Sequence, residues 1–415
     1  MSWKDVAMLI TVGTGVGGDD ARDSLAHGIL FSIIHHRPKK VVFFGSDDSK
    51  NTIISLKKQY LKEIGEELDY DEFILVNEID SFSKYFREIK YKILELDNDY
   101  DIVIDYTSGT KTMTMAAAFA SMLYRKKLIF INGKREKGIV IKGTEKASSQ
   151  NLYLVYDELM ISKIKELFNI NRFEAGRVLL EDIVDDNNDK EIYARLFNIY
   201  NYFDKVDYEN AFKLFDKDFL GILIKKWPHL RGKFIDNRRS IQTMTEKNNK
   251  YRCYYILASL LNNARRRYEE NKYDDAIARL YRSLELIAQI RLIKQYSLSS
   301  SNIDVEYLKK RNLDEEYIDK LSNLRNEQDN IRLSLFQDYE LLCYLNDDLG
   351  IFFMNNKSEI SNCLEFRNKS ILAHGLNNLS KEEYYKFEAI VLKIANILNE
   401  NISDFLNQTM FPYFD

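Results

Sequence analysis

A strand buried on both faces leaves few folds open to a chain, and residues 5–12 (DVAMLITV) carry the near-continuous apolar pattern of one. Gly13-Thr14-Gly15-Val16-Gly17-Gly18 follows at once, and Asp19 or Asp20 can cap a helix that runs to about His36. The unit then repeats. KKVVFFG (39–45) is a second strand with a helix over 51–67, and 72–76 is a third with a helix near 82–96. DIVID (101–105) is a fourth with a helix over 112–124, 127–131 is a fifth, and 138–141 adds a hairpin. Strands alternating with helices predict an α/β fold with a parallel, doubly wound sheet.

In such a sheet ligands bind beyond the carboxyl ends of the strands, where the strand order reverses; in the common order that point lies between the first and fourth strands. The two glycine-bearing loops follow those same strands. One is 13–18, and the other is Thr107-Ser108-Gly109-Thr110-Lys111, set in DYTSGTK (105–111). Glycine lets the backbone approach a phosphate closely, and the N–H groups that open the next helix face the anion. Lys111 adds charge, and Thr107, Ser108 and Thr110 add hydroxyl donors. Gly13, Gly15 and Gly18 also match G-x-G-x-x-G, with Asp47 as a ribose partner, so a dinucleotide-dependent oxidoreductase is a competing class. That class leaves the second loop unexplained. The second loop is not a Walker A loop either, because Thr110 rather than lysine follows Gly109.

Thr11–Gly18, together with 105–113 ahead of the small-residue run Ala116-Ala117-Ala118, resembles a CARF domain, the Rossmann-like sensor of CRISPR-associated proteins. The resemblance covers residues 1–155. It implies a pocket across a homodimer that binds cyclic oligoadenylate, a tetra- or hexa-adenylate ring. The contacts it implies come from Gly13, Thr14, Gly15, Ser46, Thr107, Ser108, Gly109, Thr110 and Lys111. Threonines and a lysine around a phosphate also permit the sensor to cleave its own ligand, a second activity the sequence allows without requiring.

Strand patterning ends near Asp157. Residues 156–250 read as a helical connector, with helices over 159–168, 172–184, 192–203 and 208–224 and a polar turn at 185–189. Lys225, Lys226, His229, Arg231, Lys233, Arg238 and Arg239 gather against Asp236 alone, either an approach surface for RNA or an ordinary solvated face. The formal charge of −4 argues against a dedicated duplex-DNA binder but leaves room for a local basic groove. No run of apolar residues is long enough to span a membrane. The opening MSWKD lacks a signal-peptide layout, and Cys253, Cys343 and Cys363 are scattered with no zinc spacing. A cytoplasmic protein with reduced thiols and no metal or other cofactor is expected.

Residues 251–415 are helical again. Helices are predicted over 251–270, 273–295, 341–353 and 359–374, the last capped by Ser358 and ended by Gly375, and Ser380-Lys381-Glu382-Glu383 is a capping box for a final one. Ile277, Leu280, Leu284, Ile287 and Arg291 form one stripe of the second helix, with Ala288 alongside, and read as core; Glu285 either approaches a site or makes a surface ion pair. Arg367 and His374 lie seven residues apart, almost two turns, so on one helix both leave from the same face. Arginine is a permanent cation for non-bridging phosphate oxygens and histidine titrates near neutrality. YDDAIARLYRSLEL (273–286) with Arg367-Asn368 and Leu372-Ala373-His374-Gly375 resembles a HEPN ribonuclease domain. Arg22 and His27 have a similar spacing but fall on the first helix of the α/β part, and are set aside as coincidence.

Together the two resemblances imply a CARF–HEPN accessory ribonuclease of type III CRISPR systems, acting on single-stranded RNA in antiviral defence with Arg367, Asn368 and His374 as catalytic residues. The implied reaction is metal-independent: the RNA 2′-hydroxyl attacks its own phosphate, leaving a 2′,3′-cyclic phosphate and a 5′-hydroxyl. On a helix Arg367 and His374 stand roughly 10 Å apart along the axis, too far to close on one phosphate from one copy. An isologous homodimer that pairs each Arg367 with the partner's histidine is therefore expected, gated by the sensor. A nucleotide-sensing regulator whose HEPN-like domain does not cleave is the first alternative, ahead of the dinucleotide-dependent oxidoreductase.

Overall fold

The computed structural model describes residues 4–15, 18–78, 80–136, 139–184, 189–311, 313–325, 330–369 and 378–415. The chain divides into two compact units, Met1–Ile161 with Ile183–Asp185, and Ser162–Asp182 with Asp186–Asp415.

In the first unit β1 (Asp5–Thr11), α1 (Asp19–His36), β2 (Lys40–Gly45), α2 (Lys50–Ile64), β3 (Asp71–Leu75), α3 (Phe82–Leu96), β4 (Tyr100–Asp105), α4 (Lys111–Tyr124) and β5 (Lys127–Asn132) alternate as expected. The sheet order is β3-β2-β1-β4-β5-β8, with β1 to β5 parallel. A small hairpin, β6 (Arg135–Glu136) with β7 (Ile139–Val140), stands apart, and β8 (Lys146–Gln150) runs antiparallel along the free edge of β5. β8 escapes sequence reading because KASSQ has no apolar alternation; backbone bonds hold it as an edge strand.

The alternation of β1 explains its apolar run. Met8, Ile10 and Val12 pack with Ile29, Leu30 and Ile33 of α1 and Leu56 of α2, while Ala7 and Leu9 pack on the opposite face with Ile89 of α3 and Ala116, Ala117 and Ala120 of α4. One expectation is corrected here. Gly18, not an aspartate, is the N-cap of α1; Asp19 and Asp20 occupy its first turn, where their charge suits the helix dipole.

Among the described residues the second unit is helical apart from isolated bridges. It takes the end of α5 (Tyr153–Asn169), then α6 (Phe173–Glu181), α7 (Asp189–Asp204), α8 (Tyr208–Leu214), α9 (Lys217–Lys226) and α10 (Arg231–Thr245). There follow α11 (Arg252–Glu269), α12 (Tyr273–Tyr296), α13 (Val305–Lys310), α14 (Glu315–Ser322), α15 (Leu335–Tyr344), α16 (Asp348–Asn355), α17 (Lys357–Lys369), α18 (Lys381–Leu398) and α19 (Ile402–Thr409). Two predicted single helices are each two. The 208–224 segment breaks at Phe215, which turns into the core while Asp216 caps α9 by accepting from Phe219 N at 2.7 Å. The 341–353 segment breaks where Asn346 enters the left-handed region and Asp347 caps α16. α17 starts before Ser358, so that serine is a helix residue rather than the cap. The Ser380 capping box is present, with Ser380 N donating to Glu383 Oε2 at 2.6 Å.

The predicted stripe of α12 is core: Ile277, Leu280, Leu284, Ile287 and Ala288 are completely buried. Arg291 closes it by donating to the Ile397 carbonyl at 2.8 Å.

Charge is buried in this unit too. Asp204, at the end of α7, accepts from Arg266 Nε at 2.7 Å, Arg267 Nη2 at 2.6 Å and Asn263 Nδ2 at 2.8 Å, all on α11. The Arg266 guanidinium also lies 3.8 Å over the Phe411 ring. The arginine run 265–267 is thus a brace. Part of the basic stretch 225–239 is taken up in the same way, by partners on other helices, rather than left as a wholly solvated face. Lys226 pairs with Asp189 at 2.6 Å, Lys233 donates to the Asn407 carbonyl at 2.8 Å, and Arg238 donates to the Phe215 carbonyl at 2.8 Å.

Removing one partner of a buried ion cluster leaves the others uncompensated. Asp204→Ala should therefore destabilise the protein by about 3–5 kcal/mol. Glu306→Ala, which removes an exposed pair with Lys309, should change stability by less than about 1 kcal/mol, as read from urea unfolding.

Candidate functional site

The carboxyl ends of β1 and β4 are neighbours, with Ile10 opposite Asp105. Their loops are fastened to each other by one residue. Ser108 Oγ accepts from Gly13 N at 2.9 Å, and the Ser108 carbonyl accepts from the Thr11 hydroxyl. Ser108 is itself buried, and it joins the two loops. Gly109 follows with φ at +124°; a Cβ there would strain the backbone and meet Thr11 and Met113 at 3.2 Å. The strand-1 loop is tied from the other side, where Thr52 Oγ1 donates to the Gly13 carbonyl and Ser49 Oγ to the Val12 carbonyl. Ser46, at the end of β2, opens a 3₁₀ turn and donates its N–H to Ser49 Oγ at 3.2 Å. The nearby Asp47 is held by Lys50 at 2.8 Å.

Asp105 carries the second loop from inside. It is completely buried, and Oδ1 accepts from Thr107 N at 2.7 Å. Burial pushes its carboxyl above the usual range, against the Thr107 bonds that lower it. Thr107 Oγ1 accepts from Ile131 N at 2.8 Å, and Thr110 Oγ1 caps α4 by accepting from Met113 N at 3.3 Å. Both bonds use an oxygen lone pair, which leaves each hydroxyl hydrogen to be donated. Lys111 is exposed as the first residue of α4, beside the helix N-terminus. The structure therefore brings Gly13, Thr107, Ser108, Gly109, Thr110 and Lys111 to one edge of the sheet. Thr14 and Gly15 continue the same loop, while Val16 and Gly17 lie outside the described residues.

One polar pair near these loops was not anticipated. His27 Nε2 meets Glu145 Oε1 at 2.8 Å, and Glu145 Oε2 accepts from Gly143 N at 2.6 Å. Burial raises the Glu145 carboxyl, but the backbone N–H groups and His27 outweigh it and hold it below the usual value. Arg22 pairs elsewhere, with Asp19 at 2.7 Å, so Arg22 and His27 share no site.

In the second unit Arg367 and Asn368 lie in the last turn of α17, with Arg367 half-buried and Asn368 exposed. Arg367 Nη1 donates to Asn368 Oδ1 at 3.3 Å, and the guanidinium carbon stands 5.0 Å from the centre of the Tyr281 ring on α12. His374, and the predicted continuation of the helix to it, lie outside the described residues. Glu285, one turn beyond Tyr281, pairs with Arg282 at 3.1 Å, the surface ion pair that was one of its two expected roles. Behind it Asp338 of α15 is buried, and its Oδ1 has no hydrogen-bond partner among the described residues. Burial drives its carboxyl up to about 7, with Ser300 opposing and the charge of Glu285 adding to the rise. Nothing in the residues around 338 betrays this, because it arises from packing against elements distant in sequence.

The sign of the Asp338 effect follows from linkage. A carboxyl whose folded pKa is raised contributes stability below its unfolded pKa of about 4 and loses it as pH rises to about 7. Asp338→Asn should accordingly gain little at pH 4.5 and up to about 4 kcal/mol at pH 8, measured by urea unfolding at both.

A Rossmann-like sheet whose switch-point loops are knotted together, followed by a helical unit carrying Arg367-Asn368, is the architecture expected of a CARF–HEPN protein of the CRISPR-associated class, and the family matches bear this out. Family models match in succession: the Csm6 6H domain over residues 156–238 and the Csm6 HEPN domain over residues 245–398. The chain belongs to the Csm6 family. Among solved structures it is similar to Csm6 from Enterococcus italicus bound to cyclic hexa-2′-fluoro-hexa-dAMP, at 15% identity and a TM-score of 0.64 over 97% of each chain. Can2 from Sulfobacillus thermosulfidooxidans in complex with cyclic tetra-adenylate matches at 12% identity and a TM-score of 0.25, over 50% of this chain and 68% of that one, and carries no argument. No curated protein sequence matches the chain. Among the described residues no helix is long and apolar enough to cross a membrane.

Proposed function

We propose that this protein is a cytoplasmic, cyclic oligoadenylate-activated endoribonuclease of CRISPR antiviral defence that cleaves single-stranded RNA without a metal. The carrying observation is that Arg367-Asn368 and His374 all fall in the segment matched by the Csm6 HEPN model. In this reading residues 1–155 sense the ligand, 156–250 connect, and 251–415 cleave.

The RNA 2′-oxygen attacks the adjacent phosphorus, and the bond from phosphorus to the 5′-oxygen breaks. The products are a 2′,3′-cyclic phosphate and a 5′-hydroxyl. His374 transfers a proton in this exchange, a contribution of about 10²–10⁴-fold. Arg367 holds the charge that develops on the phosphoryl oxygens, and Asn368 orients the substrate or the histidine. Two copies of the chain complete each other's site, Arg367 of one with His374 of the other.

The loops beyond β1 and β4 receive the activator. Backbone N–H groups, the hydroxyl hydrogens of Thr107 and Thr110, and Lys111 suit a phosphate-bearing ring. A hexa-adenylate ring is expected first, because the Enterococcus italicus relative was solved with a six-membered analogue. The ring binds the active arrangement more tightly than the resting one, and this difference drives the switch. The same threonines and lysine permit slow cleavage of the ring, which would appear as activation that decays.

Two outcomes are expected. With cyclic hexa-adenylate, a quenched RNA reporter and EDTA, Arg367→Ala or His374→Ala should each lower cleavage by more than about 10²-fold. Retention of normal activity by either removes that residue from the catalytic role. Lys111→Ala should raise the ring concentration for half-activation roughly tenfold or more. An unchanged midpoint with both tetra- and hexa-adenylate defeats the sensor assignment. Ring binding without RNA cleavage by the wild-type protein would identify a non-catalytic regulator instead.

A further inference from the structure

One contact in the helical unit has no part in the reaction proposed above. Arg367 leans on an aromatic ring. Tyr281 is half-buried on α12, between Leu280 and the consecutive pair Ser283 and Leu284, all completely buried. Tyr339 adds a further anchor by donating to the Leu284 carbonyl at 2.9 Å. The ring is therefore mounted on a rigid part of the core. The guanidinium carbon stands 5.0 Å from its centre, within cation–π range.

A cation held by a ring differs from one held by a carboxylate. A carboxylate neutralises the guanidinium and occupies the N–H fork that would grip a phosphate. An aromatic face takes neither. Among the described residues no carboxylate pairs with Arg367. The nearby Glu285 is engaged by Arg282 at 3.1 Å. Among the described residues Arg367 makes one side-chain hydrogen bond, the 3.3 Å contact with the neighbouring Asn368.

We propose that Tyr281 is a positioning residue for Arg367: its ring immobilises the guanidinium on one face while leaving the full charge and the N–H groups not used by Asn368 for the scissile phosphate. The proposal rests on the ribonuclease reading above. It assigns the work to the ring rather than to the hydroxyl or to the volume of the side chain.

The test uses full-length protein saturated with cyclic hexa-adenylate and measures kcat and KM for an RNA reporter. Tyr281→Phe keeps the ring and should stay within about twofold of wild type. Tyr281→Leu fills similar space without a π face and should lose roughly 3- to 30-fold in kcat, with KM and the activation midpoint little changed. Should the leucine variant unfold below the assay temperature, Tyr281→Met repeats the comparison with a more adaptable side chain. Equal activity of the leucine or methionine variant and the phenylalanine variant overturns the proposal, because volume alone then suffices. A phenylalanine variant as impaired as leucine also overturns it, because the hydroxyl is then the active part. Full activity of Arg367→Ala would instead remove Arg367 from the catalytic role, and absence of RNA cleavage by the wild-type protein would mean that the ribonuclease reading had failed; both are distinguishable from either result.

Discussion

Parallel pairing of β1 with β4 is the constraint on which the sensor unit depends. The pairing joins strands separated by two intervening helix–strand repeats and so sets the loops after Thr11 and after Asp105 side by side. Once they are adjacent, Ser108 can hold both, accepting from Gly13 N and offering its carbonyl to Thr11. The close approach in turn leaves a tight space at Gly109, whose φ of +124° would strain any side chain. The buried Asp105 aims the Thr107 backbone from below, and Thr107 reaches across to Ile131 of β5. The phosphate site proposed for these loops would need fixed N–H groups more than charge, and the knotted loops supply that rigidity.

The helical unit is held by a different balance. Its core is the completely buried stripe of α12, but charge is also taken inside, around Asp204. Residues from the 6H-matched and HEPN-matched segments meet in that cluster, so the two segments are fastened by the same carboxylate. Arg367 stands in contrast to Arg266 and Arg267. They are locked to a carboxylate, whereas Arg367 is stacked on Tyr281 with its charge left open. Arginines a hundred residues apart thus have opposite uses, and neighbouring groups rather than residue type decide which is which.

Most of the alternating strands and helices of the first unit were legible because β1, β2, β4 and β5 carry near-continuous apolar runs, whereas β8 has none and was missed. α3 falls over the predicted 82–96, and the other elements lie within a few residues of their expected ends. The long helices of the second unit were harder. Their breaks at Phe215 and Asn346 come from capping aspartates that compete successfully with continued helix, and periodicity does not register that competition. The basic stretch 225–239 read as a surface, yet its lysines and arginines reach carbonyls and carboxylates supplied by distant helices. Tyr281 looked like one more residue on an amphipathic helix; its meaning comes only from α17 packing alongside.

What the residues determined by themselves was periodic and local. The runs of apolar residues defined strands and helices, the glycines and hydroxyls marked the loops, and Arg367-Asn368 stood out as a motif with His374. What the tertiary structure alone decided was pairing across long sequence separations. It joined Ser108 to Gly13, Arg266 and Arg267 to Asp204, His27 to Glu145 and Arg367 to Tyr281, and it raised Asp338 by burying it. The physical reason is that a hydrogen bond, an ion pair and a shifted pKa each depend on distance and solvent exclusion. Neither quantity is written in the order of residues; both arise when the chain packs.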